Sequence, residues 1–172
     1  MVQTLQPNID YSVVDNFFEK EYFQEIQDAV INNVNGKLPW AFVGNLNSNH
    51  IEKDNECYFE HLAYFQEPCS GLYDILRDLW HLFEIKSLMR IKANCYPSKE
   101  NLVLHAAHKD APFDHKGAII YLNTCDGYTQ LADGTKIESV ENRVLFFNAG
   151  IDHSSTNCTN AKARFNINVN YF

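Results

Sequence analysis

His108-Lys109-Asp110 sets an imidazole and a carboxylate two positions apart. On an extended chain alternate side chains leave from the same face, so a metal ion could sit between them if a third ligand joined. His153 is the candidate, because it follows a strand-like run at residues 143–148 through a turn at Ala149-Gly150. Two neutral imidazoles and one hard carboxylate on one face of an octahedron suit ferrous iron and leave three positions open for substrate and dioxygen. Taken alone, the pair is also what a surface loop offers, since histidine and acidic residues often fall close together by chance. Arg164, at the start of an alternating segment, adds weight, because a guanidinium there could clamp a dicarboxylate through two parallel hydrogen bonds. The same arginine on a half-exposed strand, with Asn166, Asn168 and Asn170 on its face, would be an ordinary solvent-facing row. Lys162 shares its parity and is the rival cation. A zinc site built from His105, His108 and His115 is a competing donor set, but it leaves Asp110 and Arg164 without a role. His105 is also out of phase with His108 and is expected to point away from the metal.

The elements that must position these residues change character along the chain. An extended piece is expected at residues 9–14. Residues 19–33 place Tyr22, Phe23, Ile26, Ala29 and Val30 at helical spacing, which predicts an amphipathic helix. A second helix is expected from an N-cap at Ser70, burying Leu72, Ile75, Leu76, Leu79, Leu82 and Phe83, with His81 on it as an ordinary surface or core histidine. From Ser87 the period becomes two. In residues 88–96, Met89, Ile91, Ala93 and Cys95 fall on one face and Arg90, Lys92, Asn94 and Tyr96 on the other. Further strands are expected at residues 118–123, 128–131, 135–137, 143–148 and 164–172, punctuated by Asp126-Gly127 and a hairpin at Asp133-Gly134. In the last strand Phe165, Ile167, Val169 and Tyr171 should face the core. Helices followed by many short strands make an α+β chain that is mainly β, either an open sandwich or a rolled barrel.

Bulk properties narrow the function. The 172 residues suit one domain, residues 1–172, and no linker or repeat divides them. A formal charge of −8 gives no global attraction for nucleic acid or anionic lipid, although the basic stretch from Lys86 to Lys116 could meet a small anion. The five cysteines, Cys57, Cys69, Cys95, Cys125 and Cys158, are odd in number and lack paired spacing. They read as reduced, mostly buried thiols in a reducing compartment. With no signal segment or long apolar run, the expected setting is cytoplasmic, without membrane contact.

The ordered set Cys95-Tyr96-Pro97, His108-x-Asp110, Ile120-Tyr121-Leu122-Asn123, His153 and Arg164 resembles the prolyl-hydroxylase-like branch of the 2-oxoglutarate and Fe(II)-dependent oxygenases. Arg90-Ile91-Lys92-Ala93-Asn94 and Asn142-Arg143-Val144 are similar to stretches in small oxygenases of marine cyanobacterial phages, which would place the protein in a host cytoplasm. The resemblance implies a double-stranded β-helix, of jelly-roll or cupin-like form, with supporting N-terminal helices. It implies iron held by His108, Asp110 and His153, and 2-oxoglutarate held by Arg164 with a hydroxyl hydrogen bond from Tyr121 and with Tyr96 lining the pocket. Asn94 and Asn166 are added to that pocket from their inward faces. The implied reaction uses O2 to hydroxylate a small-molecule or peptide substrate, with release of succinate and CO2. Asp110 argues against halogenation, for which relatives leave that coordination position empty. Peptidyl-proline hydroxylation and a non-redox cupin-like binding or isomerase domain are the alternatives. One departure stands out: Thr124-Cys125-Asp126-Gly127-Tyr128 lacks the Gly-Gly-Glu that several relatives carry there, so the substrate-facing loop differs.

Overall fold

The computed structural model describes residues 10–33, 38–44 and 57–172. These residues form two antiparallel sheets with a few short helical segments. The larger sheet runs in the order β1 (Tyr11–Val14), β9 (Arg143–Asn148), β6 (Lys116–Tyr121), β11 (Ala163–Tyr171), β5 (Leu88–Pro97), β3 (Tyr58–Phe65) and β2 (Ala41–Val43), with β4 (Glu67–Pro68) also on β3. The smaller sheet runs β10 (His153–Ser155), β7 (Tyr128–Leu131), β8 (Lys136–Glu138). The hairpin at Asp133-Gly134 joins β7 to β8, with Gly134 at φ +87°, a conformation that a side chain would strain. Of the expected extended piece, Tyr11–Val14 is strand and Ile9 lies outside the described residues.

Period-two alternation sorts the large sheet into two chemistries. Outward, Ile91 and Ala93 of β5, Ala118 and Ile120 of β6, Val144 of β9, and Ile167 and Val169 of β11 pack under the helices in one apolar core. Inward, Ile119, Tyr121, Leu145 and Phe147 meet Leu131 and Ile137 of the small sheet. Beside that patch the inner face turns polar, with Asn94, Arg164, Asn166, Asn168 and Asn170 all buried. The row is interior, and the alternative of a solvent-facing row for Arg164, Asn166, Asn168 and Asn170 does not hold. As expected, Ile167, Val169 and Tyr171 join the outer core, with Phe165 partly buried against it.

The helical half departs from expectation. Residues 19–33 fold as α1 (Lys20–Gln27) followed by a π-helical turn, Asp28–Asn32, which still buries Phe23, Ile26 and Val30. The second expected helix is broken into α2 (Leu72–Ile75), a 3-10 turn (Leu76–Asp78) and α3 (Leu79–Leu82). The change of pitch rotates the apolar stripe, so Leu72, Leu76, Leu79 and Phe83 are buried while Leu82 is left 47% exposed. Ser70 caps nothing, because its hydroxyl bonds His61 Nε2 at 2.7 Å. The eight-residue β3 was not expected at all. Only Cys125 and Cys158 of the cysteines are buried, while Cys69 is exposed. No described helix is long and apolar enough to cross a membrane.

Asn142 ties the N-terminal layer to this frame. Held at φ 59°, it accepts from Phe18 N at 3.0 Å and donates to Phe18 O at 2.9 Å through its side-chain amide, and its own carbonyl accepts from Phe17 N at 3.0 Å. Asn142→Ala should lose both side-chain bonds and place a less tolerant residue in the left-handed region. The expected cost is about 1–3 kcal/mol in chemical denaturation, with an unchanged denaturant slope. A variant as stable as the parent would show that this corner does not hold the layers together.

Candidate metal centre and anion pocket

His108 and His153 face each other as an isolated antiparallel pair, exchanging backbone hydrogen bonds of 3.0 and 2.9 Å, with ring centroids 4.6 Å apart. The pairing brings the two imidazoles together from chain segments far apart in sequence. His153 Nδ1 lies 3.0 Å from Ile151 O, so it carries the proton and leaves the Nε2 lone pair free; Phe147 packs edge-on against the ring. His108 is shifted toward the neutral form, by burial first and by His153 second, against the pull of Asp110 and a backbone contact at Ala106. Both imidazoles are thus presented as metal ligands require.

Asp110 completes the group, but not by the parity argument. Residues 110–113 form a bend, not a regular strand, and Asp110 is instead placed by its N–H donating to Ala149 O at 3.0 Å. Its oxygens lie 4.0 Å from His108 Nε2 and 3.8 Å from His153 Nε2, and one donor atom from each of the three residues falls within 4.8 Å of the others. Bonds of about 2.1 Å to ligands on one octahedral face put donor atoms about 3 Å apart, so small side-chain rotations would bring the three onto one ion.

The carboxylate is oriented from β5 and β11. Arg90 Nη2 donates to Asp110 Oδ1 at 2.7 Å, while Asn168 and Asn170 donate to Oδ2 at 3.0 and 2.9 Å. Asn170 is itself steadied, since its Oδ1 accepts from Arg90 Nε at 3.1 Å and its amide lies 3.2 Å from His115 Nε2. His115 Nδ1 in turn donates to Phe113 O at 2.9 Å. Burial alone would raise the Asp110 pKa, yet His153, Arg90 and the two asparagines outweigh it and hold the carboxyl well below the usual carboxylate range. His115 therefore supports a supporter of the ligand. His105 stands apart from the triad with its ring 5.5 Å from that of Tyr96, so the three-histidine zinc alternative is not assembled.

Along β10 from His153, two residues on and on the same face, lies Ser155, which opens the second half of the site. Arg164 Nη1 donates to Ser155 Oγ at 2.6 Å and to Thr156 O at 3.2 Å, and Nη2 donates to Thr129 Oγ1 at 3.1 Å. The guanidinium carbon lies 5.5 Å from both the Tyr96 and the Tyr121 ring centroids. Arg164 has 0% exposure, its Nε has no partner, and no described carboxylate forms an ion pair with it. Lys162, the rival cation, is exposed. Burial pushes the Tyr96 and Tyr121 phenols up, against the lowering influence of Arg164, so both keep their protons. The Tyr121 hydroxyl donates to Thr129 Oγ1 at 2.9 Å. Gly127, in the departing loop, is required here, because a Cβ would come within 2.6 Å of Arg164 Cδ and 2.4 Å of Asn157 O. Between the two halves, Asn94 donates to Asn166 Oδ1 at 2.9 Å, and both are buried.

Sequence reading missed Arg90, Asn168, Asn170, His115, Ser155, Thr129 and Gly127 as parts of the site. For the first three a signal existed: they share the polar parity of β5 and β11 with Asn94, Tyr96, Arg164 and Asn166.

No protein-family model matches the sequence, and no curated protein does. Solved structures do match in fold. A prolyl hydroxylase from Trichoplax adhaerens, in complex with a hypoxia-inducible-factor peptide fragment, superposes with a TM-score of 0.70 at 18% identity, covering 94% of this chain and 83% of that one. A viral collagen prolyl hydroxylase from Paramecium bursaria chlorella virus 1, in a 2-oxoglutarate complex, gives 0.60 at 13% identity, covering 93% of each chain. The epimerase SnoN with Fe3+, α-ketoglutarate and nogalamycin RO gives 0.69 at 13% identity, covering 94% and 78%. At these identities the likeness establishes a shared fold.

The depressed Asp110 pKa has a definite stability consequence. A folded-state pKa below the unfolded value contributes stability that is fully present above the unfolded value, near 4, and is lost as pH falls through the folded one. In metal-free protein, Asp110→Asn should be less stable than the parent by on the order of 2 kcal/mol at pH 7, and the gap should close below pH 4. Urea titrations at pH 7, 5, 4 and 3 measure this; parallel stability curves would contradict the bracing.

Proposed function

We propose that residues 1–172 form a single Fe(II)- and 2-oxoglutarate-dependent dioxygenase domain that hydroxylates a small-molecule or peptide substrate, using O2 and releasing succinate and CO2. The carrying observation is a buried Arg164, without an ion-pair partner among the described residues, held by Ser155, two residues along β10 from His153. Two strand residues span about 7 Å, the scale of a short dicarboxylate that reaches from a metal to a cation. A non-redox cupin-like module would need the triad but gives no reason to bury a guanidinium without a partner.

On this reading the two facing sheets are the layers of a double-stranded β-helix, with the site in the mouth between them. His108, Asp110 and His153 would hold iron through two free Nε2 atoms and one braced carboxylate. Iron, when bound, supplies the activation of dioxygen that couples decarboxylation of the 2-oxo acid to oxidation of the substrate. Arg164 would receive the distal carboxylate, with Tyr121 and Tyr96 confining it and Asn94 and Asn166 forming the floor. The Tyr96 and Tyr121 rings would keep water from the Arg164 end, and Phe147 covers the His153 ring at the other. The neighbouring prolyl hydroxylases favour a peptidyl-proline substrate, whereas the epimerase shows how widely outcomes vary on this fold. Kinship with cyanobacterial-phage oxygenases, and a cytoplasmic setting, rest on the stretches quoted from the sequence.

His108→Ala and Asp110→Ala should abolish 2-oxoglutarate-dependent succinate formation by losing iron, while far-UV circular dichroism stays unchanged. Unaltered turnover in both would remove the triad. Arg164→Ala should leave metal binding nearly intact but weaken 2-oxoglutarate by about 1.5–3 kcal/mol, or on the order of tenfold to a hundredfold, with Arg164→Lys recovering part of the loss. Anaerobic titration of 2-oxoglutarate into Fe(II)-loaded protein, followed by its charge-transfer absorption, measures the effect, and Lys162→Ala is the control. Absence of any absorption change in the parent would favour the cupin reading.

A further inference from the structure

Arg164 is not the only polar group stranded at the closed end of the site. Lys99 Nζ is buried with no hydrogen-bond partner, and so are both ring nitrogens of His105. Lysines ordinarily cover their stems and leave the charged head in water. Lys99 inverts this, with a partly exposed side chain and a covered nitrogen. The backbone enforces the placement. Ser98 N donates to Lys162 O and Lys99 N to Cys158 O, at 3.0 and 3.1 Å, while His105 N donates to Ser155 O at 2.9 Å. Two of these anchor points, Ser155 and Cys158, bound the segment that carries the Arg164 acceptors Ser155 and Thr156, and the third, Lys162, lies two residues before Arg164 itself. The His105 ring rests near Tyr96, the ring that also flanks Arg164. Burial, then Lys99, Arg164 and His108 in that order, push the His105 pKa down to about 4, so the ring is neutral and offers one N–H donor.

Three side chains with unmet donors, held around the segment from Ser155 to Cys158 and without a described counter-ion, are the donor set a desolvated anion needs. We propose that Lys99 and His105 join Arg164 in binding the distal carboxylate of the 2-oxo acid, making the closed end a three-residue clamp. This rests on the co-substrate reading given above. It follows that discrimination between a dicarboxylic and a monocarboxylic 2-oxo acid is shared by the three residues and does not belong to Arg164 alone.

The test compares 2-oxoglutarate with 2-oxopentanoate, which has the same carbon chain but no distal carboxylate, by calorimetric titration into Mn(II)-loaded protein. Lys99→Met should lower affinity for 2-oxoglutarate by tenfold or more and leave 2-oxopentanoate unchanged. Lys99→Gln should show the same selective loss with a polar end retained, and His105→Phe, which keeps a ring against Tyr96, a smaller one of a few fold. Without ligand, Lys99→Met should melt at the same temperature as the parent or higher, because an unpaired buried charge has been removed. A parent that binds both acids equally would overturn the co-substrate reading and the clamp with it. A parent that discriminates while the Lys99 and His105 variants keep the full ratio would overturn the clamp and leave the co-substrate reading standing. Equal losses for both acids would also overturn it, by assigning Lys99 to the fold instead of to the carboxylate.

Discussion

A guanidinium held between two tyrosine rings, with hydroxyls and a carbonyl for company but no carboxylate among the described residues, is the constraint around which the interior is arranged. Removing an ion from water costs several kcal/mol even after relaxation, and an unpaired one recovers only part of this from neutral partners. Ser155, Thr129 and the Thr156 carbonyl satisfy two of the three guanidinium nitrogens, and the tyrosine faces lend cation–π attraction. The Nε–H and the missing counter-charge remain. The fold tolerates this because the outer face of the same sheet is closed by a continuous apolar core, reaching from Phe23 and Ile26 of α1 to Ile167 and Val169 of β11. Stability is supplied on one face and strain is kept on the other.

That division explains why the site straddles β11. One strand carries Arg164 at its start and Asn168 and Asn170 near its end, and the neighbouring β5 pairs Tyr96 with Arg164 and Arg90 with Asn170. Register alone therefore sets the anion pocket and the braced carboxylate at a fixed separation. A slip of one residue would turn Phe165, Ile167 and Val169 inward and destroy both at once. The small sheet does the complementary task, since β10 offers His153 to the metal group and Ser155 to Arg164 within three residues. Strands thus position Arg90, Arg164 and His153, while Asp110, on the bend at residues 110–113, is fixed by its backbone bond to Ala149 and by Arg90, Asn168 and Asn170.

Much of this was legible. The alternation in residues 88–96 and 164–172 identified the strands and sorted their faces correctly, because a sheet with one apolar face writes its periodicity into the sequence. Periodicity cannot say which face meets water, so the polar row of β11 was open to being read as solvent-facing when it is interior. β3 was missed for a related reason: Tyr58, Glu60 and Leu62 alternate with Phe59, His61 and Ala63, and both rows mix apolar with polar residues. The broken helix at residues 72–82 hid a change of pitch that hydrophobic spacing does not record. The structure brings His108, Asp110 and His153 together, but the parity argument for His108 and Asp110 assumed a strand that ends at a single bridge.

The pairing of Arg90 with Asp110 had no signature in the sequence at all, and it bears on what the metal ligand can do. A carboxylate that accepts three hydrogen bonds, one of them from a guanidinium, is a weaker electron donor than a free one, and its oxygens are fixed in direction. Such a ligand favours a metal that binds through geometry over one that demands a strongly basic anion. It also keeps the interior electrically balanced at this end, where Arg90 and Asp110 cancel, while the Arg164 end stays positive. Among the described residues, then, the carboxylate of the triad has a counter-charge in Arg90, whereas Arg164 has none. On the proposed reading the triad's metal would hold the chelating end of a two-headed acid, and Arg164 would draw the carboxylate that has no second donor group beside it.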